Sequence, residues 1–381
     1  MTIKNLKKAS QKIKKAVKEK KNILFFSDAD LDGVTSLIIL EETVRTIGGN
    51  IKSCYFPDLW KEGYGLNQKA LLFFKKYSPA LLIISDCGAG GIKEIERIKE
   101  YGLKIIVVDH HEIIDKIIPS QIVVNPKQKG DKSFDFLAAC GVSFRLAQEI
   151  LGEGLSKRVK DNFLELVALG TIADKVPQIK ENKVLTESGL NSISFSFRPA
   201  FQVFFEKFPL KDYLLEETIK KLTSILQITE MKGHLTKSYL FLNEKNKNKA
   251  KKMLSFLIKG NNQRKELIKL LVNQIIKKVS IDNSRFIFEG GTEIPFVLTG
   301  AISGRVCDKF QKPTFIIATK GKLTRGSVRT PEGVNSLDFL IACSHLLKTY
   351  GGHIPASGFS LETKNIPDFK NCLQKLFDKN N

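Results

Sequence analysis

Between residues 22 and 126, short apolar runs of β type alternate with segments of helical periodicity, and three of those runs end on acids. The runs at 23–27, 51–57, 81–86, 104–109 and 121–125 are separated by helix-like stretches at about 34–47, 67–77 and 91–101. Apolar runs of this length, interrupted by helices, predict a parallel α/β sheet. In such a sheet the C-terminal strand ends line one crevice. Asp28-Ala29-Asp30-Leu31-Asp32-Gly33 follows the first run, Asp86-Cys87-Gly88 the third, and Asp109-His110-His111 the fourth. Five carboxylates and two imidazoles converging there repel one another unless a cation sits among them. Their oxygen and nitrogen donors suit Mn²⁺ or Mg²⁺ better than a thiolate-bound metal.

Each cluster alone admits a blander reading. Asp28, Asp30 and Asp32 would share one face of a strand end, and in the tight turn that Gly33 permits at least two can point at a common ion. Helix-capping and turn acids would look the same. A helix starting near Val34 would add N-terminal amides that favour phosphate. A calcium-loop reading fails, because no Glu follows at the twelfth position and no helix precedes the run. Asp86 alone reads as a strand-terminal cap. His110 and His111 point to different sides of a strand end, so one can bind metal while the other holds phosphate or orients its partner. Taken together, the clusters favour metal.

The chain has 381 residues, enough for two or three domains, and its formal charge of +21 draws polyanions, nucleic acid first among them. An anionic membrane surface would give the same bias. Six scattered cysteines (54, 87, 140, 307, 343, 372) without a CxxC pair predict reduced, mostly buried thiols in a cytoplasmic protein. Neither an apolar leader nor an 18-residue apolar stretch stands out, so no signal peptide or membrane span is expected. Residues 1–21 hold nine Lys and one Glu, with Ile3, Leu6, Ile13 and Val17 at roughly helical spacing. They predict a basic amphipathic helix or arm, open to three readings: a solvated helix on the first domain, a nucleic-acid contact or a partner helix.

Residues 137–151 and 160–172 predict further helices, the second ending at Thr171-Ile172-Ala173-Asp174. From about 190 to 280 the chain is Lys-rich and mostly helical, which predicts a connector rather than a compact catalytic unit. A new α/β pattern opens near 283, with strands predicted at 284–288, 295–299 and 314–318. Gly351-Gly352-His353 offers amides and an imidazole at a glycine-rich turn, suited to an anion. Ser327 and Arg329 add a hydroxyl and a guanidinium fork for phosphate. His345 reads as structural or surface.

In order, these motifs resemble the DHH phosphoesterase superfamily, most of all its RecJ-like single-strand exonuclease branch. Supporting stretches are 62–66, Asn125-Pro126, 137–142 and 166–170. Gly326-Ser327-Val328-Arg329, and Gly351-Gly352-His353 with Ala356-Ser357-Gly358, resemble the DHH-associated domain. The resemblance covers about 22–365. The expected division is a basic helix or arm at 1–21, a parallel-sheet DHH catalytic domain at 22–190, a helical connector at 191–280, and a smaller α/β DHH-associated domain at 281–381. The active site is expected in the cleft between the two α/β domains. The resemblance implies two divalent cations, Mn²⁺ preferred over Mg²⁺, held by Asp30, Asp32, Asp86, His110 and Asp174. Asp86 would bridge, and Asp28 is a further candidate. Asp109 and His111 would support the ligands or touch phosphate. Substrate phosphate would meet His111, Ser327, Arg329, Gly351, Gly352 and His353, with Arg325 a weaker candidate.

The implied activity is metal-dependent hydrolysis of single-stranded nucleic acid, DNA favoured, from an end to 5′-mononucleotides. Its setting would be cytoplasmic DNA repair and recombination, with replication or repair proteins as partners. The alternative is hydrolysis of short oligonucleotides or cyclic dinucleotides, as smaller relatives do. A non-catalytic binding module would have lost metal acids, and none is missing. Phe26 stands where the pyrophosphatases of the superfamily carry a His, which argues against that activity. Two departures stand out. His234, within 231–237, occupies a position where the branch usually has Arg. The sequence also stops soon after the DHH-associated region, where longer bacterial relatives continue into an OB-fold, so weaker grip on long strands is expected.

Overall fold

The apolar runs of the first half form five parallel strands in the order β2-β1-β3-β4-β5. The computed structural model describes residues 3–59, 61–89, 95–113, 121–128, 133–210, 214–227, 230–279 and 284–379. It divides into two units, Met1–Asn261 and Asn262–Asn381. The first unit runs through α1 (Leu6–Lys18), β1 (Asn22–Ser27), α2 (Leu31–Thr46), β2 (Asn50–Tyr55), α3 (Gln68–Lys75), β3 (Ala80–Ser85), α4 (Ile95–Glu100), β4 (Leu103–Val108) and β5 (Ile122–Val124). Then come α5 (Ala139–Leu151), α6 (Lys157–Asp174), α7 (Lys180–Ile193), α8 (Pro199–Lys207), α9 (Leu215–Leu226), a hairpin of β6 (Met231–Lys232) and β7 (Leu235–Thr236), and α10 (Lys237–Asn243). Helix α11 (Lys247–Val279) continues from the first unit into the second. Residues 91–94 of the stretch expected at 91–101 lie outside the described residues.

Side chains alternate across the sheet, and both faces are buried, which is why these strands read as continuous apolar runs. Ile23, Phe25, Leu81, Ile83, Ile106 and Val108 pack with α1, α2, α5 and α6. Leu24, Phe26, Leu82, Ile84, Ile105 and Val107 pack with α3 and α4. The N-terminal segment forms α1, which buries Leu6, Ala9, Ile13 and Ala16 against the first face. Phe201, Phe204, Ile219, Leu222 and Phe241, from α8, α9 and α10, enter the same core. So the segment 199–243, expected within a connector, packs with the parallel sheet.

The second unit contains β8 (Ile287–Gly291), α12 (Phe296–Phe310), β9 (Thr314–Lys320), β10 (Leu323–Arg329), α13 (Ser336–Ala342), β11 (Leu347–His353), β12 (Ala356–Glu362) and α14 (Ile366–Lys379). Its sheet has the order β11-β12-β10-β9-β8, antiparallel except for β8 against β9. Two expectations are corrected here. The strand expected at 295–299 is the start of α12, whose Leu298, Ile302 and Val306 recur at i, i+4 and i+8 and are buried together. Cys343 and Cys372, expected as reduced thiols, form a disulfide across a separation of 29 residues. The packing of α13 and α14 into one core brings them together, and no local spacing announces that pairing. Cys54, Cys87, Cys140 and Cys307 are free. Among the described residues, no helix is long and apolar enough to cross a membrane.

Helix α6 delivers Asp174, and α7 sets its position through a close backbone approach. A Cβ on Gly189 of α7 would run into the Leu164 carbonyl oxygen of α6 and come within 2.9 Å of the Ala168 Cβ. Gly189→Ala should therefore cost about 1–3 kcal/mol of stability, as overpacking does. Urea denaturation would register it as a lowered midpoint; an unchanged midpoint would show that the seam has room for a methyl.

Candidate metal centre

The order β2-β1-β3-β4-β5 reverses direction between β1 and β3, and the carboxyl ends at such a switch point form a natural crevice. Ser27 and Ser85, the last residues of β1 and β3, tie the two ends together. The Ser27 hydroxyl donates to the Ser85 carbonyl (3.1 Å), and the Ser85 hydroxyl donates to Ser27 Oγ (2.8 Å). Asp28 and Asp86 follow immediately. Gly33 lets the β1–α2 turn close: a Cβ there would collide with the Asp28 carbonyl and approach Ser27 Oγ to 2.9 Å. Asp86 adopts a left-handed backbone with φ 57°, rare for a residue with a Cβ and concentrated at functional sites.

The expected residues of the first unit meet here. His110 Nε2 lies 3.5 Å from Asp86 Oδ1, 3.6 Å from Asp174 Oδ2 and 3.8 Å from Asp32 Oδ2. Three overlapping triads have ligand atoms mutually within 4.8 Å: Asp32-His110-Asp174, Asp86-His110-His111 and Asp28-Asp30-Asp86. Asp86 belongs to two of them, the position a bridging ligand would take. Asp28 Oδ1, Asp86 Oδ1 and Asp174 Oδ2 are buried oxygens without a hydrogen-bond donor among the described residues. A pair of divalent cations fits this donor set, in chemistry and in spacing.

Asp109 is the contrasting case. It accepts from the amides of Ala89 (2.8 Å), His110 (2.7 Å) and His111 (3.2 Å), and pairs with His111 Nδ1 at 2.8 Å. Burial alone would raise its pKa, but the His111 imidazole and that hydrogen bond hold it below the usual carboxylate range. Its oxygens are occupied, so it orients His111 rather than offering a ligand. Asp30 serves both of its expected readings: one oxygen caps α2 by accepting the Gly33 amide at 2.9 Å, and the group also joins a triad.

Several contributors carried no role in the sequence reading. The first amides of α5, from Ala139 (2.7 Å) and Cys140 (2.9 Å), donate to the two oxygens of Asp32, an anion held at a helix N-terminus. Gly170 lets α6 approach that carboxylate; a Cβ there would lie 2.9 Å from Asp32 Oδ1 and 2.7 Å from Cys140 Sγ. Tyr64, 60% exposed, donates its hydroxyl to the Asp86 carbonyl at 3.3 Å and stands edge-on to His111. Its signals are the alternation Gly-Tyr-Gly in a loop and its place in the stretch 62–66 that supports the resemblance. His234 stacks on Tyr55 and packs against Phe73, both at 4.5 Å between ring centroids.

The other candidate phosphate residues, His111 apart, lie on the second unit's sheet. Arg329 and His353 both pair in register with Ala356, from opposite sides of β12; Ser327 and Gly351 likewise flank Gly358, and Gly352 pairs with Ser357. Helix α12 covers part of this face: Thr299 and Ser327 hydroxyls lie 2.8 Å apart. A Cβ on Gly300 would come within 3.2 Å of Arg329 Nη2. Arg329 donates to the Val328 carbonyl (2.9 Å) and pairs with no carboxylate among the described residues. Burial pulls its pKa below the ordinary guanidinium value. Arg325 lies over the Phe296 ring.

Crowding sets the electrostatics of the first unit's centre. Burial, then Asp30, pushes Asp28 up to about 8 and Asp32 up to about 6. Burial, then Asp32, pushes Asp174 up to about 8, and Asp86 is raised well above the ordinary value by burial and the neighbouring aspartates. His111 is lowered by burial but raised more by Asp109, to about 9. Raised carboxyls bind more protons folded than unfolded, so they erode stability as pH climbs from about 4 to about 8. The raised His111 acts in the same direction, its contribution being lost as pH rises through about 9. Cation binding needs the carboxylates deprotonated, so its stabilisation grows over the same window. In EDTA the protein should melt lower at pH 8.5 than at pH 5.5, and Mn²⁺ should raise the melting temperature more at pH 8.5. Equal melting with and without Mn²⁺ at both values would rule the centre out.

Residues 22–171 match the model of the DHH family, N-terminal domain. The single-stranded-DNA-specific exonuclease RecJ of Bacillus subtilis is 29% identical over 392 residues, covering 99% of this chain and 48% of the relative. The protein of the same name from Thermus thermophilus is 26% identical over 370 residues, covering 97% of this chain and 54% of the relative. This chain thus spans about half the length of those two proteins. A crystal structure of exonuclease RecJ bound to manganese superposes with a TM-score of 0.81 at 24% identity, covering 99% of this chain and 95% of that one. Through residues 22–171 the chain is similar to the N-terminal domain of the DHH family, and over nearly its whole length it is similar to RecJ proteins.

Proposed function

We propose that the protein is a two-cation phosphodiesterase that removes 5′-mononucleotides from an end of single-stranded nucleic acid, DNA favoured over RNA. The observation that carries this reading is the set of three overlapping triads of acids and imidazoles, two of them sharing Asp86 and two sharing His110, with buried carboxylate oxygens that no donor satisfies. Asp28, Asp30, Asp32, Asp86, His110 and Asp174 would hold two divalent cations, Mn²⁺ preferred and Mg²⁺ second. Bound there, the pair supplies an activated water and charge neutralisation at the phosphodiester. The α5 amides and Gly170 fix the Asp32 carboxylate, and Asp109 fixes the His111 ring, the candidate in this unit for a contact with substrate phosphate.

The second unit supplies the grip. Arg329, half-buried and without an acidic partner among the described residues, offers a fork to one phosphate, beside Ser327 and the Gly351-Gly352-His353 strand. Contacts to the backbone rather than to bases give little sequence preference and strong salt dependence. We assign the DHH catalytic domain to 22–190, a mainly helical segment to 191–280 whose helices α8, α9 and α10 pack with the catalytic core, and the DHH-associated domain to 281–381, with 1–21 as a basic helix on the first. The relatives named for single-stranded DNA support a role in DNA repair and recombination. A cytoplasmic location and contacts with replication or repair proteins accord with that role.

End-labelled DNA and RNA strands digested with Mn²⁺ present would test the assignment directly. Mononucleotide release from the single strand is expected; cleavage confined to dinucleotides or cyclic dinucleotides would move the assignment to short-oligonucleotide hydrolysis. Asp86→Asn and His110→Ala should each lower turnover about 10³-fold, corresponding to several kcal/mol of metal-derived stabilisation. Wild-type turnover in either variant would refute the centre. Arg329→Ala should raise KM about 10–100-fold, the loss of a hydrogen bond to a charged group, with kcat little changed and Arg329→Lys recovering part. An unchanged KM would remove Arg329 from the substrate site.

A further inference from the structure

The first unit carries a second charged cluster, at the opposite ends of the strands from the acids. Lys12, Lys15 and Lys21, on and just after α1, and Lys104 at the start of β4 line a cavity of about 110 Å³, walled by Leu81. Glu19 is the acid among them, and it is already bridged by Lys15 at 3.7 Å and by Lys21. Four ammonium groups against one carboxylate leave a surplus of three positive charges (4 − 1). Lys12 is half-buried, and no carboxylate lies within ion-pair distance of it among the described residues. Its pKa is pulled down by burial first, then by Lys104, Lys21 and Lys15. Glu19 opposes that shift, but its carboxylate is shared between Lys15 and Lys21.

The sheet sets the cluster's distance from the metal centre. Strands β3 and β4 each run six residues from this end to Asp86 and Asp109, about 20 Å at 3.3 Å per residue. The cluster is therefore a separate feature. It continues outward along α1, whose Lys7, Lys8, Lys15 and Lys18 are exposed over a helix about 20 Å long. A free phosphate would account for the cavity but not for the row of lysines leading to it. A polymer of phosphates accounts for both.

We propose that this face binds the phosphodiester backbone of single-stranded nucleic acid, as an anchor for a strand whose end lies at the metal centre. The inference rests on the reading of that centre as strand-cleaving. About 20 Å of stacked strand at 3.4 Å per nucleotide is six nucleotides or more, so long strands reach the anchor and dinucleotides do not.

The test compares the full-length wild type with the pair Lys12→Gln/Lys104→Gln on a 30-nucleotide DNA strand and on a dinucleotide. Each lost phosphate contact removes a salt slope of about 0.7. The pair should therefore weaken 30-mer binding about 25-fold at 0.1 M salt and flatten the salt slope by about 1.4. Dinucleotide turnover should stay at the wild-type rate, and Lys12→Arg/Lys104→Arg should retain 30-mer affinity. Unchanged affinity and salt slope in the Gln pair would overturn the proposal while leaving the metal centre intact. So would loss of inorganic phosphate binding alone, which would mark a small-anion pocket. An equal loss on the dinucleotide would also overturn it, since the effect would then be on the fold or the centre. Failure of the wild type to bind or cleave any single strand would overturn both readings.

Discussion

Repulsion among buried carboxylates at the β1–β3 switch point is the constraint around which the first unit is arranged. Burying a carboxylate is costly unless donors, protons or cations meet it. The fold satisfies two of the acids with its own groups. Asp109 takes three amides and an imidazole and stays in the charged form. Asp32 takes two amides from the start of α5, and burial still raises it. Asp28, Asp86 and Asp174 keep oxygens that no donor among the described residues reaches. The same crevice thus holds carboxylates that organise the fold and carboxylates that the fold leaves needing a partner. The serine tie between β1 and β3, the α5 amides and the two close glycine approaches keep the second group from relaxing apart.

Much of that crevice was legible in the residues, for a definite reason. A parallel strand buried on both faces writes itself as an apolar run, and its end is marked where polar residues begin, so Asp28, Asp86 and Asp109, each the first acid after its run, announce their own convergence. Asp174 was harder: it ends a helix, and only the ordered motifs pointed to it. The amides of Ala139 and Cys140 left no side-chain signal, because backbone groups do the holding. In the second unit, Pro295-Phe296-Val297-Leu298-Thr299 looks like a strand over five residues; only the longer i, i+4, i+8 spacing reveals α12. The Cys343–Cys372 pairing depends on two helices reaching one core, which local spacing does not encode. For 199–243 the exposed lysines masked apolar faces that pack with the sheet. The register that sets Arg329 and His353 on either side of Ala356 is likewise a product of pairing rather than of any one segment.

The chain's surplus of positive charge is not spread evenly, and its distribution carries more than its total. Many lysines sit on helix surfaces beside glutamates, as Lys220 does with Glu216 and Lys183 with Glu187; such exposed pairs contribute little to stability. Arg329 and Lys12 are different, half-buried and lacking a carboxylate within ion-pair distance. A cation held away from water without an anion is a net cost, and one that a solvated surface position would avoid. The carboxylates at the C-terminal strand ends show the same imbalance with the opposite sign. Acids short of cations and cations short of acids therefore occur in one chain, at separate places, although electroneutral pairing between them would have been cheaper. On the proposed reading, a bound polyanion with divalent cations would supply what each place lacks: cations for the crevice, phosphates for Arg329 and Lys12. Under the proposed function, nucleic acid would meet the need for anions with one repeating unit, because every link in its backbone would be both the group to be cleaved and the group to be held.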